Sequence, residues 1–123
     1  MRSSKFHIKL CNVLEQDLLN SNSKYKTLKF FRKNIVTVII WLSSIKNFYN
    51  NEKNSVEDLV RRSNSVSRVS RPSVVSFINN AVSKGYLISE KSKSDKRKYN
   101  IIPTKITLKE FENWSKIFIF PKN

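Results

Sequence analysis

The sequence predicts a mostly α-helical domain that carries one small β-hairpin. Apolar residues recur at spacings of three and four along most of the chain, as on the buried face of a helix. Residues 86–102 break this pattern, with two short extended segments on either side of a charged tip. The 123 residues, 39% of them apolar, suffice for a single domain (residues 1–123) with a small core.

The charge of the chain predicts a polyanionic partner. There are 24 Lys and Arg residues against 9 Asp and Glu, a formal net charge of +15. A domain this basic repels itself and usually binds a polyanion, and double-stranded DNA is expected here. No membrane contact is predicted, because the longest apolar run, residues 35–42, is too short to span a bilayer. Residues 1–20 lack a secretory signal, so we expect a cytoplasmic, nucleoid-associated protein.

Cysteine and histidine usage argues against a metal centre or an enzyme. The sequence contains one cysteine, Cys11, and one histidine, His7, which excludes an internal disulfide and the usual zinc clusters. Cys11 is predicted to be a small core residue. There is no Gly-rich phosphate loop and no close pair of carboxylates, so no catalytic residue, cofactor or metal is predicted.

The N-terminal half, residues 4–50, is predicted to be helical. Residues 4–19 form an amphipathic helix, residues 20–23 a loop, and a second helical region begins at Lys24. Residues 35–40 are β-branched and fit a strand by propensity, but helical periodicity continues on both sides. A break at residues 32–34 would give two helices rather than one.

Two further helices follow. Ser55 and Asp58 form a capping box that opens the first, and the adjacent acids suit its positive end. Residues 64–69 are predicted to connect it to a helix that Ser70 caps. Pro72 fits the first turn of that helix and Gly85 its end.

The exposed face of the second of these helices is small, polar and uncharged. It carries Ser73, Ser76, Asn79 and Asn80, with Arg71 at its start. Serine and asparagine are poor helix formers, so propensity does not explain them. They suit a surface that exchanges hydrogen bonds with base edges and phosphates in a DNA major groove. The alternative is a weak surface helix whose composition reflects AT-rich coding.

A basic hairpin and a last helix complete the chain. Residues 86–91 and 97–102 are predicted strands around the tip 92–96, and Pro103 ends the second strand. Thr104 could cap a helix reaching residue 120, on which Glu110 and Glu112 take solvent positions. Helix, turn, helix and hairpin is the order of a winged helix-turn-helix, here residues 55–103, with a C-terminal helix at 104–120.

Residues 35–114 resemble the DNA-binding part of MarR-type winged-helix regulators. The matches are Trp41-Leu42 followed by SVEDL at 55–59, SRPSV at 70–74, KGYLI at 84–88, and Asp95-Lys96-Arg97 with Ile101 and Thr104. The spacing in the wing is the most specific of these. The connection before Ser70 is longer than the family's usual turn, Pro103 replaces an aliphatic residue, and the last helix is short.

The resemblance implies specific roles for the wing and for the start of the recognition helix. Asp95 would orient Arg97 for entry into a minor groove, a placement that a narrow groove favours. The full predicted DNA interface comprises Ser70, Arg71, Ser73, Ser76, Asn79 and Asn80 on the recognition helix; Lys91, Lys93, Asp95, Lys96, Arg97 and Lys98 on the wing; and Arg61, Arg62 and Arg68 at the DNA backbone.

The leading hypothesis is therefore a sequence-specific DNA-binding regulator that acts by occupying a promoter. A homodimer could form through the first helix and the second helical region. Two alternatives stay open: non-specific binding to nucleoid DNA or to RNA, and a winged helix used only for protein contacts. Members of the family often sense small phenolic ligands, but the sequence marks no such pocket, and the effector is unknown.

Overall fold

The computed structural model describes residues 4–21 and 24–118 of the chain. It confirms a mostly helical domain with one two-stranded hairpin. The elements are α1 (Ser4–Gln16), which continues into a π-helical turn (Asp17–Ser21), α2 (Lys26–Phe31), α3 (Ile35–Tyr49), α4 (Val56–Val66), α5 (Arg71–Ser83), β1 (Leu87–Lys91), β2 (Tyr99–Pro103), α6 (Lys105–Ser115) and a 3-10 turn (Lys116–Phe118).

One apolar core unites α2 to α5 with the hairpin. Leu28, Ile40, Leu59 and Ile78 come from these four helices in turn, and each is at most 1% exposed. Burial of one such side chain stabilises the fold by roughly 1.5–3 kcal/mol. One side of α5 packs against this core, so the opposite side of the helix faces outward.

The second helical region is two helices, because the break at residues 32–34 is present. Asn34 caps α3 by accepting hydrogen bonds from the backbone N–H groups of Val36 (3.0 Å) and Thr37 (3.1 Å). Thr37 Oγ1 accepts a bond from the Asn34 N–H in return (3.1 Å). This capping box starts a helix at Ile35, which settles the choice between helix and strand for residues 35–40.

The helix-turn-helix forms as predicted, except in its connection. The capping box of Ser55 and Asp58 opens α4, and Ser70 caps α5. The predicted connection at 64–69 is wrong in extent, because α4 continues to Val66 and leaves residues 67–70 as the turn. Side chains in the last turn of α4 bond back to it, including Asn64 Nδ2 to the Val60 carbonyl (3.0 Å). Gly85 ends the α5 segment with φ +81°, as expected of a left-handed residue there.

The wing is an antiparallel hairpin in which Leu87 pairs with Pro103 and Lys91 with Tyr99. The second strand begins at Tyr99 rather than Arg97, because the Lys98 N–H bonds back to the Asp95 carbonyl (3.0 Å) and extends the turn. Pro103 is the last residue of the strand, not the residue that follows it. The segment before α4 adds a short third edge, where the Ile101 N–H donates to the Asn54 carbonyl (2.8 Å).

The last helix follows its prediction in position but not in its contacts. Thr104 does not cap α6 through its side chain; its Oγ1 donates to the Gly85 carbonyl instead (2.8 Å). Glu110 is not a solvent position, because it accepts bonds from the N–H (2.9 Å) and Oγ1 (2.6 Å) of Thr27 in α2. Glu112 is exposed and accepts a bond from the Tyr49 hydroxyl (2.7 Å). The predicted end at residue 120 lies outside the described residues.

The first helix lies at the periphery and is tied down at its C-terminal end. Asp17, in the π-helical turn, is 5% exposed; it accepts two hydrogen bonds from Arg32 (3.1 and 2.8 Å) and one from Trp114 Nε1 (2.6 Å). Upstream, α1 has no buried residue, so Cys11 is exposed and its prediction as a core residue is wrong. Of the predicted loop at 20–23, Asn20 and Ser21 belong to the π-helical turn and residues 22–23 lie outside the described residues.

No helix in the described part of the chain is long and apolar enough to cross a membrane.

Candidate nucleic-acid interface

The outward face of α5 displays the polar residues that the sequence singled out. Val74, Ile78 and Ala81 hold the helix against the core. The opposite side leaves the predicted contact residues exposed: Ser70, Arg71, Ser73, Ser76, Asn79 and Asn80. This face is free of acidic residues, and apart from Arg71 its side chains are short enough to let the helix approach another surface closely.

Arg71 is held by the carboxylate of Glu57, an acidic residue in the first turn of α4. Its Nε donates to Glu57 Oε1 at 3.0 Å, and its Nη2 donates to the same oxygen. The hydrogen bond from Arg71 lowers the pKa of Glu57, and the same bond raises the pKa of Arg71. The pair therefore stays charged at neutral pH. It ties the start of α5 to the start of α4, and the second terminal nitrogen of Arg71, Nη1, has no described bond.

The wing tip places Asp95 beside Arg97. Asp95 Oδ1 accepts a hydrogen bond from the Arg97 backbone N–H (3.0 Å), and the guanidinium Nε lies 3.8 Å from the same oxygen. The Arg97 side chain is 95% exposed, so it projects from the tip. Its backbone is held by the hydrogen bond to Asp95. The four predicted wing lysines, Lys91, Lys93, Lys96 and Lys98, are exposed around it.

A cleft of about 340 Å³ lies between α5 and the wing. Arg71, Val75 and Asn79, one helical turn apart, line its α5 side, and Arg97, Lys98 and Tyr99 line its wing side. The structure therefore brings part of the predicted helix set and part of the predicted wing set to one concave surface. Ser73, Ser76 and Asn80 lie apart from it, along a shallower surface on α5.

The arginines predicted to meet the DNA backbone differ in their surroundings. Arg61 forms an ion pair with Asp58, with Nη2 and Oδ1 2.5 Å apart. Arg62 and Arg68 are exposed. Arg61 and Arg62 both line a separate open cleft between α3 and α4, away from the wing.

Sequence reasoning missed Glu57 and Tyr99 as members of this surface. Glu57 is 14 residues from Arg71, so no local spacing signals their pairing. Tyr99 lines the wing side of the cleft from the first position of β2. Within residues 4–21 and 24–118, no group of His, Cys, Asp and Glu side chains is arranged to hold a metal ion.

The helix-turn-helix and its basic hairpin define the chain as a winged-helix protein. No family profile and no curated protein sequence matches it. Solved structures do match. S. aureus MepR in a complex with DNA has a TM-score of 0.58 at 16% identity, over 85% of this chain and 79% of that one. NadR in complex with 4-hydroxyphenylacetate has a TM-score of 0.57 at 15% identity, over 95% and 75%.

A third similar structure is the heme sensor protein PefR from Streptococcus agalactiae in complex with heme. Its TM-score is 0.53 at 13% identity, over 94% of this chain and 76% of that one. Together these neighbours show that the chain has the MarR-type winged-helix fold, as the resemblance of residues 35–114 implied.

Proposed function

We propose that this protein is a sequence-specific double-stranded DNA-binding regulator that acts by occupying a promoter. The observation that carries the proposal is the shared surface of α5 and the wing, where Arg71 and Asn79 face Arg97 and Lys98 across one cleft. MepR, one of the similar structures, was solved with DNA. A nucleoid-associated location would follow from such an activity.

The two parts of the surface would read DNA differently. The outward face of α5 would lie in the major groove, with Arg71 donating to a guanine and Asn79 or Asn80 pairing with an adenine. Glu57 holds the Nε edge of Arg71 and leaves Nη1 for a base edge. Arg97 would enter the adjacent minor groove while Asp95 holds its backbone, and the wing lysines would meet phosphates.

A regulator of this kind usually binds a pseudo-palindrome as a dimer. The dimer is proposed through apolar side chains that α1, the π-helical turn after it and α3 leave uncovered: Leu14 (41% exposed), Leu18 (67%), Ile35 (57%) and Leu42 (39%). Ile35 and Leu42 are seven residues apart and so lie on one side of α3. Contact with a second copy of the chain would bury these side chains and remove them from water.

The dimer proposal predicts that Leu14→Lys/Leu18→Lys will be monomeric at concentrations where the parent chain is dimeric, because it places two charges in the apolar contact. Light scattering after size-exclusion chromatography measures the mass. Lys5→Glu, an exposed change on the same helix, is the control and should leave the mass unchanged. A parent chain that is monomeric throughout would contradict the dimer.

Fluorescence anisotropy tests the proposed function directly. Duplexes from the region upstream of the protein's own coding sequence are compared with a scrambled duplex at two salt concentrations. A preference of ~10³ or more for one fragment, with strong salt sensitivity, is the result expected of a specific regulator. Equal binding to all duplexes would overturn sequence specificity.

The second candidate is non-specific binding to nucleoid DNA or RNA. It is favoured by basic residues that lie outside the helix and wing, including four exposed lysines beside α2 and the end of α5. Equal affinity for every duplex would identify non-specific binding. Competition by single-stranded RNA would then show whether RNA is also bound. A chain that binds no nucleic acid at low salt would instead indicate a winged helix used for protein contacts.

A further inference from the structure

A second basic cleft lies beside α5, and none of its residues belongs to the predicted interface. Its volume is about 270 Å³, and it is lined by Lys26, Lys29, Phe30, Lys33, Lys84 and Tyr86. Phe30 is 5% exposed and forms its floor, with the Tyr86 ring edge-on at 5.3 Å between centroids. We call this the lysine cleft.

The charges of the lysine cleft are uncompensated. All four lysines are exposed, and none has an ion pair within the described part of the chain. By contrast, Arg61, Arg71 and Arg97 each have a carboxylate within 4 Å. Four ammonium groups around one concave surface repel one another, and a bound polyanion would relieve that repulsion. Lys33 Nζ, 4.8 Å from the centre of the Phe30 ring, is partly held in place by its cation–π contact.

The position of the lysine cleft relative to α5 is fixed by ring stacking. Phe30 stacks on Phe77 of α5, with ring centroids 4.8 Å apart, and Lys84 is the C-cap residue of α5. The cleft next to the wing is lined instead by Val75. Two residues along a helix turn by about 200°, so Phe77 and Val75 lie on opposite flanks of α5. The recognition helix therefore runs between the wing and the lysine cleft.

We propose that the lysine cleft binds the phosphate backbone along the second edge of the major groove that α5 occupies. An α-helix with its side chains is about 10–12 Å across and the major groove is about 12 Å wide, so a helix in the groove has a phosphate ridge on each flank. The wing crosses one ridge, and the lysine cleft meets the other. The contact is independent of sequence and adds affinity and orientation, while α5 reads the bases. This inference rests on the proposed DNA-binding function.

The test is Lys29→Ala/Lys33→Ala, measured by anisotropy on the preferred and the scrambled duplex over a range of salt concentrations. Each lost phosphate contact should reduce the slope of log affinity against log salt by about 0.9, so about 2 for the pair, on both duplexes alike. The control Lys105→Ala/Lys109→Ala removes the same charge from exposed positions on α6 and should keep the parent slope. Lys29→Arg/Lys33→Arg retains both charges and should also keep it.

Hydroxyl-radical footprinting supplies an independent readout. The parent chain should protect sugars on both edges of the major groove, and Lys29→Ala/Lys33→Ala should lose protection on the edge away from the wing. A salt slope equal to that of the α6 control, or loss on the preferred duplex alone, overturns the inference. A parent chain with no duplex preference refutes the proposed specific function instead, and one that binds no duplex refutes both. Circular dichroism melts confirm that each variant is folded.

Discussion

Replacing Asp17 with alanine is expected to lower the free energy of unfolding by about 3–5 kcal/mol, the usual result of removing one partner from a buried ion pair. The Asp17 side chain is 3% exposed and that of Arg32 11%. Asp17 also accepts the indole N–H of Trp114 at 2.6 Å. Alanine would leave a nearly buried guanidinium without its carboxylate and an indole N–H without its acceptor. The measurement is chemical denaturation followed by tryptophan fluorescence.

Two further variants make this prediction specific. Glu15→Ala removes an exposed carboxylate two residues earlier and should change the free energy of unfolding by less than about 0.5 kcal/mol. Asp17→Asn keeps one oxygen acceptor without the charge, so its loss of unfolding free energy should lie between those of Asp17→Ala and Glu15→Ala. Equal stability of Asp17→Ala and Glu15→Ala would show that Asp17 does not stabilise the fold in solution. Because Asp17 ties the end of α1 to the core, its loss should also weaken a dimer formed through α1.

Replacing Arg71 with alanine is expected to cost about 1–3 kcal/mol of binding free energy on the preferred duplex and far less on a scrambled one. Arg71 lies at the start of α5 and is the one cationic side chain on its outward face. The matched comparison is Lys93→Ala on the wing, which should weaken all duplexes alike and flatten the salt slope by about one unit. Equal losses on both duplexes for both variants would refute the assignment of Arg71 to base reading.

The variant Glu57→Gln tests whether Glu57 positions the Arg71 side chain for its contact with DNA. Both described bonds of the Arg71 side chain go to Glu57 Oε1, so the carboxylate restricts a side chain that otherwise has many rotamers. The Glu57→Gln variant should bind the scrambled duplex more tightly than the parent chain does, because a negative charge near the DNA is removed. Its preference for the correct duplex over the scrambled one should be smaller. An unchanged ratio of the two affinities would show that Glu57 does not position Arg71.

Much of the fold could be predicted because its signals are local. Ser55 with Asp58, and Ser70 with Pro72, mark helix starts over a few residues, and only glycine fits easily where φ is +81° at residue 85. Asp95 and Arg97 are two residues apart, so their contact in the wing was also predictable. The boundary at residues 64–69 was not, because Asn64 and Ser65 suit either a loop or the last turn of a helix.

The sequence by itself determined the class of fold, the face of α5 that points outward and the basic character of the wing, since periodicity and capping act within a few residues. Only the tertiary structure decided which polar and charged groups meet. Asp17 reaches Trp114 across 97 residues, Glu110 reaches Thr27 across 83, and Glu57 reaches Arg71 across 14. The lysine cleft likewise brings α2 next to the end of α5, through contacts of the Phe30 ring with Phe77 and Tyr86. These contacts depend on how the helices pack, which no local pattern encodes.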